Sequence, residues 1–257
     1  MRSLTQIANS YGTDKGTEGP STHHVVHNYT DVYEAFFSSR RDEPLNFLEI
    51  GIGLKRKEDP RIAHGRNESG GASIRMWHDY FPKATIYAID IVPAAQLDNE
   101  RIKTFVVDQG DENSLKAFVE KLKGVEFDYV IDDGSHVARH QQLTLGVLFP
   151  RLKEGGVYFI EDLRNDGLGD ISKGEKITNG PFNTRKVLHA FAETGAFPEP
   201  HALADVAYLK DNIKAIDFFV PTQRIDRVAA FKKLFGGKDT VLKFQPSSEL
   251  LCAIHKR

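Results

Sequence analysis

The sequence has one cysteine, Cys252, no excess of charge of either sign, and no apolar run near the roughly 20 residues that a membrane span needs. A single cysteine excludes an intramolecular disulfide and points to a reducing compartment. Cys252 lies in the apolar run ELLCAI (residues 249–254), where it reads as a small buried hydrophobe rather than a nucleophile. The 34 basic residues are scattered and balanced by 36 acidic ones, which argues against binding nucleic acid by charge. The opening MRSLTQIANS lacks the apolar core of a secretion signal, and with no membrane segment a cytoplasmic protein is expected. Internal repeats and low-complexity tracts are also missing. What is present is a 257-residue chain, 40% hydrophobic and 27% charged, of a size that favours one α/β domain over residues 1–257, with insertions, over two domains.

Apolar runs and helical repeats alternate along it. LNFLEI (45–50), TIYAIDI (85–91), the run at 102–107, FDYVID (127–132) and GGVYFI (155–160) read as strands. AIDFFV (215–220) and ELLCAI read as two last ones. Between them lie helical patterns: ASIRMWHDYF (72–81), stopped by Pro82; Leu115, Phe118, Val119 and Leu122; residues 137–148; and Val187, Leu188 and Phe191. A basic helical insertion is expected around residues 224–235. This beat predicts a mostly parallel sheet with helices on both faces and right-handed crossovers. Ahead of it, residues 1–43 form a helical extension. Ser3 caps a first helix that Gly12 ends, and Thr30 caps a second with Val32, Ala35 and Phe36 on one face. Between the two, residues 12–29 are polar and Gly-rich. Their histidines His23, His24 and His27 read as loop residues in preference to a metal cluster.

The chemistry gathers where strands end. FDYVIDDGSH (127–136) closes in Asp132, Asp133 and His136, and GGVYFIEDL (155–163) closes in Glu161 and Asp162. Buried parallel strands deliver such groups to one edge of a sheet, the edge where α/β folds bind ligands. Several carboxylates within a few ångströms cannot all ionise cheaply unless a cation offsets them, and all-oxygen donors suit a hard ion such as Mg²⁺. Neighbouring strand residues face opposite ways, so one of Asp132 and Asp133 faces the ion. His136, an imidazole beyond a Gly-Ser turn, is placed to act as a general base. The competing reading is that these acids cap the following helices.

Gly51 and Gly53 follow the first strand, as in sites where backbone approaches a nucleotide-type cofactor. Asp90 ends the second strand, where a ribose diol is bound; Asp108 and Gln109 end the third. Ser73 stands in the first turn of a helix, beside backbone N–H groups suited to a carboxylate. Residues 164–183, polar and long, read as a lid or substrate loop.

YGTDKG (11–16), HNYTDVYEAFF (27–37), LEIGIG (48–53), GGASIRMW (70–77), IDDGSH (131–136) and GGVYFIEDL together resemble the metal- and S-adenosylmethionine-dependent sugar O-methyltransferases of natural-product biosynthesis, of the macrolide-sugar and calicheamicin-type rhamnose kinds. The resemblance spans roughly residues 1–165. It implies a class I methyltransferase fold with a seven-stranded sheet, and transfer of a methyl group to a hydroxyl of a deoxysugar, nucleotide-linked or on a natural product. It implies Asp133, Glu161 and Asp162 as Mg²⁺ ligands and His136 as base. Glu49, Gly51, Gly53, Ser73, Asp90, Asp108 and Gln109 would hold S-adenosylmethionine, and Tyr11, His27 and Tyr29 would lie on the substrate side or at a contact between copies of a homo-oligomer. Beside the macrolide enzymes the chain is short, which favours a smaller sugar. The rivals are a metal-dependent O-methyltransferase of a catechol or other diol, a Mg²⁺-dependent phosphohydrolase, and a cofactor-binding module without catalysis. A phosphohydrolase is disfavoured because no phosphate-cradling Gly-Lys-Ser/Thr loop is present.

Overall fold

Seven short apolar segments pair into one sheet because each carries hydrophobic side chains for both of its faces. The computed structural model of the chain describes residues 1–18, 25–54, 70–163, 183–220, 224–225 and 251–257. The sheet strands are β2 (Asn46–Ile50), β3 (Thr85–Asp90), β4 (Ile102–Val106), β5 (Phe127–Asp132), β6 (Leu152–Ile160), β7 (Ile213–Phe219) and β9 (Leu251–Lys256). Their order is β4-β3-β2-β5-β6-β9-β7. Pairing is parallel from β4 through β6, and β9 runs antiparallel to both β6 and β7. Every residue of β5 is buried, as a middle strand covered on both faces requires, whereas Val106 on the edge strand β4 is 57% exposed.

Alternation along the strands divides the core in two. Phe47, Ile131 and Phe159 pack against one layer, made by α1 (Leu4–Tyr11), α2 (Thr30–Phe37) and α3 (Ala72–Tyr80). Leu48, Ile50, Val130 and Ile160 face the other, made by α4 (Glu112–Lys121), α5 (Ala138–Leu148), α6 (Thr184–Thr194) and α7 (Val206–Asn212). The first helix is bounded as its residues predict: Ser3 and Gln6 form a capping box, and Gly12 closes it in the left-handed conformation. The second differs. Thr30 is the first helical residue rather than the cap, and its hydroxyl meets Thr5 Oγ1 at 2.9 Å, which ties α2 to α1.

Strand order reverses between β2 and β5, so their carboxyl ends open a crevice at the switch point. Register fixes what stands there. Ile50 pairs with Asp132, and Asp132 with Ile160, so Gly51, Asp133 and Glu161 lie abreast one residue beyond the strands.

Arg224 and Ile225 form a short strand, β8, antiparallel to β1 (Val25–Val26). The start of the segment expected to be helical around 224–235 is therefore extended, because its backbone groups pair with β1. The expectations for His23, His24, the polar insertion at 55–69, the loop at 164–182 and residues 226–250 lie outside the described residues. Among the described residues no helix is long and apolar enough to cross a membrane.

Candidate active site

Lys15 is the centre of the cluster at the strand ends. Its side chain is wholly buried, and its Nζ donates to Asp133 Oδ2 at 2.5 Å and to both carboxylate oxygens of Glu161 at 2.7 Å. Glu49 Oε1 lies 3.6 Å away. Burial alone would strip the proton from this amine, but the charges of Asp133, Glu161 and Glu49 outweigh it and raise the Lys15 pKa well above its ordinary value. Lys15 is thus a fixed positive charge. Its backbone is tied down as well: Lys15 O accepts from Thr30 N at 3.1 Å and Asp14 O from His27 N at 2.8 Å.

One ammonium does not neutralise this many acids. Burial, with Asp133 beside it, pushes the Glu161 carboxyl up against the pull of Lys15. Burial likewise raises Glu49 to about 7, although Lys15 and the Ser73 hydroxyl, which donates to Glu49 Oε2 at 2.8 Å, both oppose the shift. Glu49 Oε1 is buried without a hydrogen-bond partner. Asp133 keeps 26% of its side chain open.

Asp162 stands beside this group. Its Oδ1 accepts from the buried Tyr29 hydroxyl at 2.8 Å and lies 3.7 Å from His27 Nδ1, while its Oδ2 is 3.6 Å from His136 Nε2. His27 stacks on the Tyr29 ring, with centroids 5.0 Å apart. Tyr33, one helical turn further on, donates to Glu161 Oε1 at 2.5 Å. Both His136 (φ 57°) and Asp162 (φ 52°) adopt the left-handed conformation, sparsely populated for residues other than glycine and frequent at functional sites. His136 Nδ1 is buried without a hydrogen-bond partner, so Nε2 is the nitrogen turned to the acids.

Asp132 points to the opposite face. It is buried, accepts from Gln109 Nε2 at 2.7 and 2.9 Å, and receives the Gly134 amide at 3.3 Å. Burial raises its pKa to about 7. Gln109 Oε1 also accepts from Ser135 N, so Gln109 and Asp132 shape the turn that carries His136. Asp132 and Asp133 do not cap α5, which begins after Val137 with no side-chain cap.

On the other side of the crevice, Gly51 (φ 80°) and Gly53 (φ 69°) form a turn that larger residues would strain. A Cβ on Gly51 would stand 2.5 Å from Asp133 O, whereas one on Gly53 would meet open space. Asp90 accepts from Ile52 N at 3.0 Å and Val92 N at 2.9 Å, and Asp108 Oδ1 accepts from Gly110 N at 2.8 Å. These carboxylates brace the loops after β3 and β4.

The structure brings together Asp133, Glu161, Asp162, His136, His27, Tyr29, Glu49, Gly51 and Ser73. Tyr11 is elsewhere: its hydroxyl donates to Asp79 Oδ2 at 2.8 Å, in the last turn of α3, about 9 Å along that helix from Ser73. Its ring packs against the first core layer. Lys15 is the site residue that sequence patterns do not single out, while Tyr33 reads from the sequence equally as packing of its helix or as function.

Among the described residues no three His, Cys, Asp or Glu side chains are arranged around a metal position. Lys15 is the reason, since it holds Asp133 and Glu161 while Asp162 turns to Tyr29. In kind, the donors fit a hard divalent ion: the three carboxylates of Asp133, Glu161 and Asp162 at one sheet edge offer only oxygen atoms, and Glu49 Oε1 beside them has no hydrogen-bond partner. A nucleoside cofactor also fits, since the space beside Gly53 is open and a side chain there would fill it.

The fold is that of the class I methyltransferases. No family model matches the chain. It is 42% identical over 137 residues, 53% of its length, to the 8-demethyl-8-(2-methoxy-alpha-L-rhamnosyl)-tetracenomycin-C 3'-O-methyltransferase of Streptomyces olivaceus. It is 34% identical over 160 residues, 62% of its length, to the mycinamicin VI 2''-O-methyltransferase of Micromonospora griseorubida. The chain spans 32% and 36% of those two relatives' lengths. Among solved structures it is similar to the MycE methyltransferase of the mycinamycin pathway in complex with Mg, SAH and mycinamycin VI, at 25% identity and a TM-score of 0.64, over 99% of this chain and 54% of that one. These matches bear out the resemblance to sugar O-methyltransferases of natural-product biosynthesis.

Proposed function

We propose that the chain is one S-adenosylmethionine-dependent, Mg²⁺-dependent O-methyltransferase domain acting on a hydroxyl of a deoxysugar, carried by a nucleotide or by a natural product. The observation that carries this reading is the alignment of Gly51, Asp133 and Glu161 abreast at the switch point, with His136 and Asp162 beside them. The relatives named for rhamnosyl and mycinamicin methylation supply the substrate class.

Asp133, Glu161 and Asp162 would hold the cation. Glu49, Gly51, Gly53, Ser73, Asp90 and Asp108 would hold the cofactor, with Gln109 bracing the turn beneath it. When bound, S-adenosylmethionine supplies a sulfonium methyl group, and a divalent cation lowers the pKa of a neighbouring sugar hydroxyl. His136 accepts the proton of that hydroxyl at Nε2, and Asp162 Oδ2 stabilises the imidazolium that forms. Tyr29 and Tyr33 keep Asp162 and Glu161 turned inward. Transfer would be a direct displacement needing no covalent enzyme intermediate, and the buried Cys252, whose thiol burial holds far above its ordinary pKa, would take no part.

Calorimetric titration with S-adenosylmethionine and with ATP, each with Mg²⁺, tests the reading. Binding of the first and not the second is expected, and binding of ATP alone would favour phosphoryl chemistry.

A further inference from the structure

Three facts about Lys15 belong together. It is wholly buried, it bonds two of the three carboxylates assigned to the cation, and it is carried on a short turn rather than on a helix or strand. A cation coordinated by Glu161 would lie at roughly 2.0–2.1 Å from a carboxylate oxygen that already stands 2.7 Å from the Lys15 Nζ. Two positive centres that close, beside the buried Glu161, repel strongly, and they draw on the same oxygen lone pairs.

We infer that Lys15 and a divalent cation are alternative occupants of the Asp133–Glu161 pair, so that loading the ion expels the Lys15 ammonium and shifts the turn at residues 13–16. This rests on the methyltransferase reading given above. With no ion, Lys15 keeps the buried acids from repelling one another. With the ion in place, Asp133 and Glu161 are released to it, and Asp162 is the further donor within reach. The turn is bonded through Asp14 O, Lys15 O and Gly16 O to the amides of His27, Thr30 and Asn28, so its displacement is transmitted to the segment bearing His27 and Tyr29. Ion loading and remodelling of the substrate side become one event.

The test uses Mn²⁺ as the probe, its free signal read by electron paramagnetic resonance, on the full chain and its Lys15→Met variant. The variant is expected to bind Mn²⁺ at least about tenfold more tightly; equal or weaker binding by a folded variant overturns the inference. Independently, the unmodified protein is treated with acetic anhydride with and without saturating Mn²⁺, and acetylation of Lys15 is read by peptide mass spectrometry. Mn²⁺ is expected to expose Lys15 and raise its labelling about tenfold. Mn²⁺ bound with Lys15 still protected sinks the inference alone, and failure of both proteins to bind Mn²⁺ sinks it together with the metal-dependent reading.

Discussion

Replacing Phe37 by alanine should unseat the helix that carries the site's tyrosines. Phe37 is fully buried, with its ring centroid 4.6 Å from that of Tyr129 and between 5.3 and 5.9 Å from those of Tyr33, Phe81, Phe159, Trp77 and Phe47. It joins α2 to α3 and to three sheet strands at once. A Phe→Ala change in a core costs about 3–5 kcal/mol, and the surrounding rings cannot collapse into the gap without leaving their own partners, which places this site at the upper end. For a domain of this size each kcal/mol lowers the melting temperature by roughly 2–4 °C, so a fall of about 10–20 °C is expected by circular dichroism. Tyr33 lies one turn before Phe37 on the same helix face and bonds Glu161, so cation binding should weaken in the same variant. Val220→Ala, at a residue 55% exposed, serves as the control and should change stability by less than about 0.5 kcal/mol. A fall in melting temperature under about 4 °C for Phe37→Ala would refute the view that this ring organises the layer.

His136→Asn, which tolerates the left-handed backbone, should lower kcat about 10²–10⁴-fold with KM and melting temperature nearly unchanged, read in a steady-state methyl-transfer assay. Gly51→Ala should abolish S-adenosylmethionine binding in calorimetry, because the new Cβ would collide with the backbone of Asp133 and Gly134; Gly53→Ala, which meets open space, should cost only the roughly 1–2 kcal/mol of its backbone strain. Asp128 gives a pH signature away from the site. Burial works to raise its pKa, but bonds from Lys153, the Asn46 amide and Arg40 outweigh this and hold it below 3.8. The stability it contributes is therefore full above pH 3.8 and is lost as pH falls through the lower folded value. Asp128→Asn should cost about 3 kcal/mol at pH 7 in urea unfolding, a penalty that shrinks below pH 3.8.

The sheet was legible because buried parallel strands are unbroken apolar runs, and the acids at their ends mark the carboxyl edge. Period-two alternation also foretold that Asp132 and Asp133 would part, and they do: Asp133 faces Lys15 and Asp132 faces Gln109. The place of Lys15 was not legible. It sits in a polar, Gly-rich turn with no periodicity, 118 residues before Asp133, and only the folded chain shows it as the counter-charge. The signal available was the motif YGTDKG itself, together with the need of four converging acids for a cation. Tyr33 could be read as packing or as function, and it is both: its ring packs on Phe37 while its hydroxyl bonds Glu161. Tyr11 shares a motif with Lys15 but stands at the end of α1, where the helix turns its hydroxyl toward Asp79.

The central claim is that this carboxylate edge transfers a methyl group to a sugar hydroxyl with the help of a divalent cation. Its most direct test is incubation of the purified chain with S-adenosylmethionine, Mg²⁺ and a panel of nucleotide-linked and natural-product deoxysugars, with products read by mass spectrometry. Gain of one methyl group on a sugar, lost on adding EDTA and restored by excess Mg²⁺, is the expected result. Equal methylation in the presence of EDTA would contradict the account.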